Sequence, residues 1–383
     1  MNTHDLSQFA TRRSLAKPAA VAGAWLALQS SAKGAETPAG TVFNARLLGA
    51  KGDGKADDTK PIQGAIDLAA ERGGSVFVPP GIYQTAELHL RPNVAVIGIP
   101  AWDYRSGGGS VIRLADPAAS CLLNITGAFG ATIEGLSLDG GKLGKSVHGV
   151  FLNKPDYGKR EDTFRIERSQ IANFTGDGVR LTRAWCFSIR HSMIAYNAGD
   201  GIALRGWDGF LLDNWLSGNQ GAGFAAREEN ASCTLTANRI EWNREGILIV
   251  GGDGYNITGN FFDRAGTRGL AIVGGEQMTI SGNFVKRSGK NATPDTHDSC
   301  QIYLEKARGI TCTTNNLQVG RDDGGHGVWS PSYGIICSAL EDCIVTNNVL
   351  HDGALTQLML DLGGHGEGTI LKDNPGRLAK RAS

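Results

Sequence analysis

A repeat of 22–24 residues limits this chain more than any other feature. Aligned on one asparagine or serine, its segments read Ile166-Glu-Arg-Ser169, Ile189-Arg-His-Ser192, Leu211-Leu-Asp-Asn214, Leu235-Thr-Ala-Asn238, Ile257-Thr-Gly-Asn260, Ile280-Ser-Gly-Asn283, Thr313-Thr-Asn-Asn316 and Val345-Thr-Asn-Asn348. The anchors stand 23, 22, 24, 22, 23, 33 and 32 residues apart. Two residues after most anchors comes an apolar position such as Ile171, Leu216 or Phe262. A glycine then opens a second apolar pair, as in Gly178-Val-Arg-Leu, Gly201-Ile-Ala-Leu and Gly246-Ile-Leu-Ile. Apolar alternation in runs this short means strands separated by turns. A unit of this size with several short strands cannot bury its own apolar face, so it must stack on its neighbours as a solenoid.

The asparagines fit that stacking, because an amide can hydrogen-bond both the next coil's amide and its backbone. Asn197, Asn219 and Asn243 form a second such series. Leucine-rich repeats have a similar length but need a leucine signature and a helix in each unit, which are missing here. The expected fold is therefore all-β: a single-stranded, right-handed parallel β-helix. Coils are expected over residues 91–375, a cap region over 36–90 and a tail over 376–383.

Glycine is 54 of 383 residues, about twice the usual ~7%, yet follows no three-residue period, which excludes collagen. The 41% apolar content excludes disorder. Lysine plus arginine equal aspartate plus glutamate at 38 each, with no polybasic block, so nucleic acid is not an expected partner. Seven scattered cysteines without a CxxC pair suggest neither a zinc site nor a disulfide framework.

The N-terminus has the order of a leader. Arg12-Arg13-Ser14-Leu15-Ala16-Lys17 precedes the short apolar stretch Ala19–Leu28 and the small residues Ser30 to Ala35. The paired arginines resemble a twin-arginine signal, which exports folded proteins, so residues 1–35 are expected to be a signal peptide. The mature chain is expected in the periplasm or outside the cell. No other segment approaches the length of a membrane span.

From Phe43 to Tyr83 the chain reads FNARLLGAKGDGKADDTKPIQGAIDLAAERGGSVFVPPGIY. This closely resembles the pectate-lyase-like β-helix superfamily, in its rhamnogalacturonase/epimerase-like branch. The resemblance implies the fold and leaves open the chemistry, since the superfamily contains lyases, hydrolases, epimerases, fructotransferases and phage tailspikes. Homotrimers are frequent among β-helix proteins, and a homotrimer is one partner expectation. The acidic motif Asp53, Asp57, Asp58 reads as structural. It stands where a helix over Lys60–Glu71, with apolar face Ile62, Ala65, Ile66 and Ala69, needs an N-cap. That helix should cover the open N-terminal end of the solenoid.

Equivalent positions on successive coils stack about 4.8 Å apart, so columns of side chains follow from the alignment. Just before each second-strand glycine stand Asp177, Asp200, Ala222, Glu245 and Arg268. One coil separates Asp177 from Asp200, a spacing that suits a retaining carboxylate pair. Two coils separate Asp200 from Glu245, near the inverting range. A column on the preceding strand adds Glu241, Asp263 and Lys286, expected to face outward, and Arg205 and Arg227 follow the second strand.

The two long periods mark insertions that carry His297 and Asp298 in one, and Asp322, Asp323, His326, Trp329 and Tyr333 in the other. Both fall on the same turn as the acidic column. Carboxylates and histidines for proton transfer, with aromatic rings for sugar faces, point to a saccharide site. The expected catalytic residues are Asp200, Glu245, Asp177, Arg268 and His326. The expected substrate-binding residues are Arg205, Arg227, Glu241, Asp263, His297, Asp298, Asp322, Asp323, Trp329 and Tyr333. A Ca²⁺ site built from Asp295, Asp298, Asp322 and Asp323 is compatible with hard oxygen ligands, although the spacing matches no defined loop.

The leading expectation is an exported enzyme that cleaves a polysaccharide, by carboxylate-assisted hydrolysis or by β-elimination at a uronate. The alternative is a non-catalytic glycan-binding scaffold. A stretch around Ser188-Ile-Arg-His191 and Gly201-Ile-Ala-Leu-Arg-Gly-Trp207 resembles the inulin fructotransferases. Their resemblance implies an acid where this chain has Ala203 and another near His191, and the departure argues against fructotransfer.

Overall fold

In a computed structural model the residues described are 41–290, 297–320 and 329–380. The expected leader lies outside them, as do Asp295, Asp322, Asp323 and His326. Each coil contributes three short strands, for example Arg239–Glu241, Glu245–Val250 and Asn256–Thr258, followed on the next coil by Phe261–Asp263, Arg268–Val273 and Thr279–Ser281. These pair in parallel register, Ile240 opposite Phe262, Ile247 opposite Leu270 and Ile257 opposite Ile280. The first strands of the coils make an 11-stranded sheet, here the first face. The second and third strands join into one 22-stranded sheet, because Val179–Arg190 and Ile202–Leu212 run through the bend between those faces with a register shift between Thr182 and Ala184.

Most strands turn one or two residues inward, and these stack on their equivalents in the next coil. Ile166, Ile189, Leu211, Leu235, Ile257, Ile280, Cys312 and Val345 form one such stack, all fully buried. Cys312 takes a core position here, and all seven cysteines are free thiols. Small apolar thiols fill such positions without any redox role.

The asparagine series forms two hydrogen-bonded ladders. Side-chain amides link Asn197, Asn219 and Asn243 at 3.0 and 2.9 Å. The second ladder runs from Asn214 through Asn238, Asn260, Asn283, Asn315 and Asn348 to Asn374. Each amide also donates to a carbonyl of the preceding coil, as Asn238 Nδ2 does to Leu211 O at 2.9 Å. The anchor in the seventh segment is therefore Asn315, correcting the sequence alignment on Asn316. The reason is local: the residue before each anchor is left-handed, including Asp213, Ala237, Thr314 and Asn347, so Thr314 fixes Asn315 as the residue turned inward.

The helix spans Thr59–Arg72 and buries Ile62, Ala65, Ile66 and Ala69 against the strands Thr41–Asn44, Gly74–Phe77 and Leu88–His89. The acidic motif is a set of turn clamps. The Asp58 carboxylate accepts the amides of Lys51 and Gly52, at 2.6 and 3.0 Å, rather than capping the helix with its side chain. Asp57 accepts the Thr59 amide at 2.9 Å. Asp53 accepts the amides of Lys55 and Ala56, which hold its carboxyl below the usual range. All three serve as acceptors for nearby backbone amides.

Candidate functional site

The second face carries the acidic column in register. Val179 pairs with Ile202, which puts Asp177 beside Asp200, and Ala222 pairs with Glu245. Arg268 pairs with Cys300 and Cys300 with Tyr333, so both insertions rejoin the sheet at this column. One coil earlier the same column holds His148, two residues before Val150 as Asp177 is two before Val179. The sequence analysis missed His148, although His148-Gly149-Val150 repeats the pattern of Asp177-Gly178-Val179.

Along its first half the column behaves as a third ladder, built from carboxylates. Asp177 Oδ1 accepts the Asp200 amide, and Asp200 Oδ1 accepts the Ala222 amide, both at 2.7 Å. The other oxygens receive Arg180 at 2.7 Å and Arg227 at 2.6 Å. Glycine permits this close approach, since a Cβ at Gly199 or Gly221 would collide with Asp177 Oδ1 or Asp200 Oδ1. The Asp177 amide in turn donates to His148 Nδ1 at 2.9 Å. Burial holds the His148 imidazole below its usual pKa, against the attraction of Asp177. The neutral ring with Nδ1 accepting therefore carries its proton on Nε2.

Glu245 differs. It is 9% exposed and accepts no amide from the next coil; its Oε1 lies 2.7 Å from Arg268 Nε, without the alignment of a hydrogen bond. Burial raises its carboxyl pKa, opposed by the Arg268 guanidinium. Asp298 stands 4.0 Å from Arg268 Nε, the Arg268 guanidinium lies 5.0 Å from the Tyr303 ring, and His297 packs edge-on to Tyr333 at 6.1 Å. Trp329 lies 5.5 Å from Trp242.

Further along the strands that follow Asp177, Asp200 and Ala222 lies a recess of about 220 Å³ lined by Arg180, Thr182, Ala203, Arg205, Arg227 and Glu228. Arg205 is held by Glu228 and Glu229, each at 3.0 Å. Its Nε is buried with no hydrogen-bond partner. Ala203, the position matched to a fructotransferase acid, stands between Arg180 and Ala225 in the register, while His191 sits past the far end of Val179–Arg190, paired with Asp213. Arg180, Glu228 and Glu229 were not among the expected site residues.

The Glu241–Asp263–Lys286 column is in register and points away from the core side of Ile240 and Phe262, but its two acids are covered rather than exposed. Asp263 is 2% exposed beneath Arg264 and Arg287, and Glu241 is buried against Trp215 Nε1 and Arg239. Ion pairing to long arginines makes that burial tolerable and leaves neither acid a surface for a sugar. Among the described residues no group of three or more His, Cys, Asp or Glu is placed to hold a metal ion, and no helix is long and apolar enough to cross a membrane.

The family model described as "Right handed beta helix region" matches residues 121–285 and 222–374, most of the chain. The chain belongs to the right-handed β-helix family. A second model, "Rhamnogalacturonase A/epimerase, pectate lyase-like", matches residues 42–103 of this β-helix. Mannuronan C5-epimerase AlgE6 of Azotobacter vinelandii is 31% identical over 197 residues, covering 46% of this chain and 21% of that protein. Alginate lyase 7 of the same organism is 29% identical over 206 residues, 47% of this chain and 22% of that protein. The chain thus spans about a fifth of the length of these two curated relatives.

Among solved structures, the A-module of Azotobacter vinelandii mannuronan C-5 epimerase AlgE4 superposes with a TM-score of 0.61 at 19% identity, covering 88% of this chain and 100% of that one. Tailspike protein 2 of bacteriophage CBA120 gives 0.64 at 17% identity, covering 80% and 47%. DFA-IIIase from Arthrobacter chlorophenolicus A6, without its lid, gives 0.60 at 14% identity, covering 89% and 99%. At these identities the structural likeness establishes the β-helix and no reaction.

Proposed function

We propose that this β-helix is a carbohydrate-active enzyme acting on a uronate polysaccharide, and that it removes the proton beside the uronate carboxylate. Epimerisation at C5 and β-elimination of a uronate both begin with that step. The observation that carries the reading is the recess itself, where the side chains of Arg180, Arg205 and Arg227 converge. A sugar carboxylate entering the recess can pair with the guanidinium groups that line it, and these groups stabilise the negative charge that grows on it as the proton leaves. The relatives named as a mannuronan epimerase and an alginate lyase support the same substrate class.

Two groups suit proton traffic. The buried Glu245 holds a carboxyl of raised pKa, able to exchange a proton nearer neutrality than an ordinary glutamate. His148, with Nε2–H, is a neutral donor rather than a base. Hydrolysis by Asp177 and Asp200 has less support, because both carboxylates are spent on amides and arginines. The Arg12-Arg13 leader supports export, and moving both to lysine should trap the protein in the cytoplasm on fractionation.

The test is to incubate the protein with mannuronan in D₂O and follow three signals. Deuterium at C5 without chain shortening means epimerisation. Unsaturated-uronate absorbance with new reducing ends means elimination. Reducing ends without absorbance or deuterium mean hydrolysis and refute the proposal, and no signal on any uronate polymer favours a non-catalytic scaffold.

A further inference from the structure

We infer that the corner between the first and second faces is a second, non-catalytic binding surface for an acidic oligosaccharide. The inference rests on the uronate reading above for the identity of the sugar, but on different residues for the site. The corner carries a recess of about 420 Å³, larger than the arginine recess, lined by Lys142, Asn173, Thr175, Tyr196, Gly218 and Gln220. Its inner side is the Asn197–Asn219–Asn243 ladder, so its wall is rigid. Gly218 is left-handed and has no side chain, and the Tyr196 ring lies directly over it, presenting an aromatic surface to the recess. Lys142 is exposed and has no ion pair among the described residues, and Gln220 is exposed elsewhere on the lining of the same recess.

The surface continues along the solenoid in register. Tyr196, Gly218, Trp242 and Arg264 occupy the same left-handed corner position on four successive coils, each amide bonded to the coil that follows. Tyr196 and Trp242 are therefore two coils, about 10 Å, apart along the axis. Trp242 is 44% exposed, with the Arg264 guanidinium 4.5 Å from its ring, and Lys290 lies 4.8 Å from the neighbouring Trp329 ring. Rings offer the apolar faces of sugars a platform, and the cations beside Trp242 and Trp329 favour sugars that carry carboxylates. Among the described residues the acids nearest these rings, Asp263 and Glu241, are buried under arginines. It is built to hold a chain rather than to cut or invert it.

The test is calorimetric titration of the full chain with a mannuronate hexamer, with maltohexaose as the neutral control. The expected result is two hexamers bound per chain. Lys142→Ala and Trp242→Ala should each weaken one of them by about tenfold or more, with turnover of a uronate trisaccharide unchanged within about twofold. Arg205→Ala should remove the other.

One hexamer per chain, lost with Arg205→Ala and untouched by Lys142→Ala, overturns the inference and leaves the proposed function standing. One hexamer lost with Trp242→Ala and untouched by Arg205→Ala keeps the inference and removes the proposed groove. Equal binding of maltohexaose overturns the charge-based choice of ligand, and no binding of either sugar overturns both readings.

Discussion

The two halves of the second-face column share one backbone register and differ in what their acids do. In the half from His148 to Ala222, each acid reaches the amide of the next coil and is neutralised by an arginine. In the half from Glu245 to Tyr333, the acid faces an arginine with poor hydrogen-bond alignment and is pushed toward its neutral form by burial. The interruption is Ala222, which cannot continue the carboxylate ladder, so Glu245 begins a new environment. Identical placement on a repetitive scaffold therefore does not mean identical chemistry. A carboxylate with a backbone donor and a cation is satisfied, whereas one that is buried and poorly aligned is held ready to change charge.

The largest expected effect separates those halves. Glu245→Gln should lower turnover of a uronate polymer by about a thousandfold and remove the pH limb attributed to its raised carboxyl, while Asp200→Asn, which keeps an acceptor for the Ala222 amide, should stay within about threefold. Steady-state rates on folded variants decide this; inactive Asp200→Asn with a normal circular dichroism spectrum would break the comparison. Arg205→Ala should cost about a hundredfold in turnover, with little loss of stability because its partners Glu228 and Glu229 are exposed. Full activity in that variant would remove the observation on which the proposed function rests.

Smaller effects sharpen the structural side. Asn238→Ala strips two hydrogen bonds given to Oδ1 and two made by Nδ2 in the buried ladder, and should cost on the order of 3 kcal/mol in denaturant unfolding. Asp200→Ala should cost about 1–2 kcal/mol by orphaning the Ala222 amide, and Asp200→Asn distinctly less.

The smallest effect concerns pH. His148 has a folded pKa below its ordinary 6.5, so the unfolded chain binds the proton more tightly. Its contribution to stability should be complete above pH 6.5 and decline as pH falls from there toward the lowered value. His148→Gln should flatten that part of a Tm-against-pH curve.

The solenoid was legible because its signal is repeated: the anchors and apolar positions recur in coil after coil, and a single irregular segment such as Thr313-Thr-Asn-Asn316 shifts only one assignment. The acidic column was legible for the same reason. What the pattern could not supply was side-chain direction beyond the strand and the partner that each acid meets. Glu241 and Asp263 alternate as surface residues should, yet arginines from neighbouring positions cover them. Arg180 and His148 were visible in the repeat, but their meaning came only from the recess and the amide they face.

The asparagine ladders also bear on how such a chain reaches its structure. Their links span 22–26 residues, or 32–33 where the coil carries an insertion, and each joins one turn only to the next. Order can thus advance by templating: a finished rung presents its unpaired carbonyl and amide edge as the seed for the following segment. Growth of that kind has direction and two ends. Damage near the middle should divide the molecule into separately melting blocks, while fraying at a terminus should stay local.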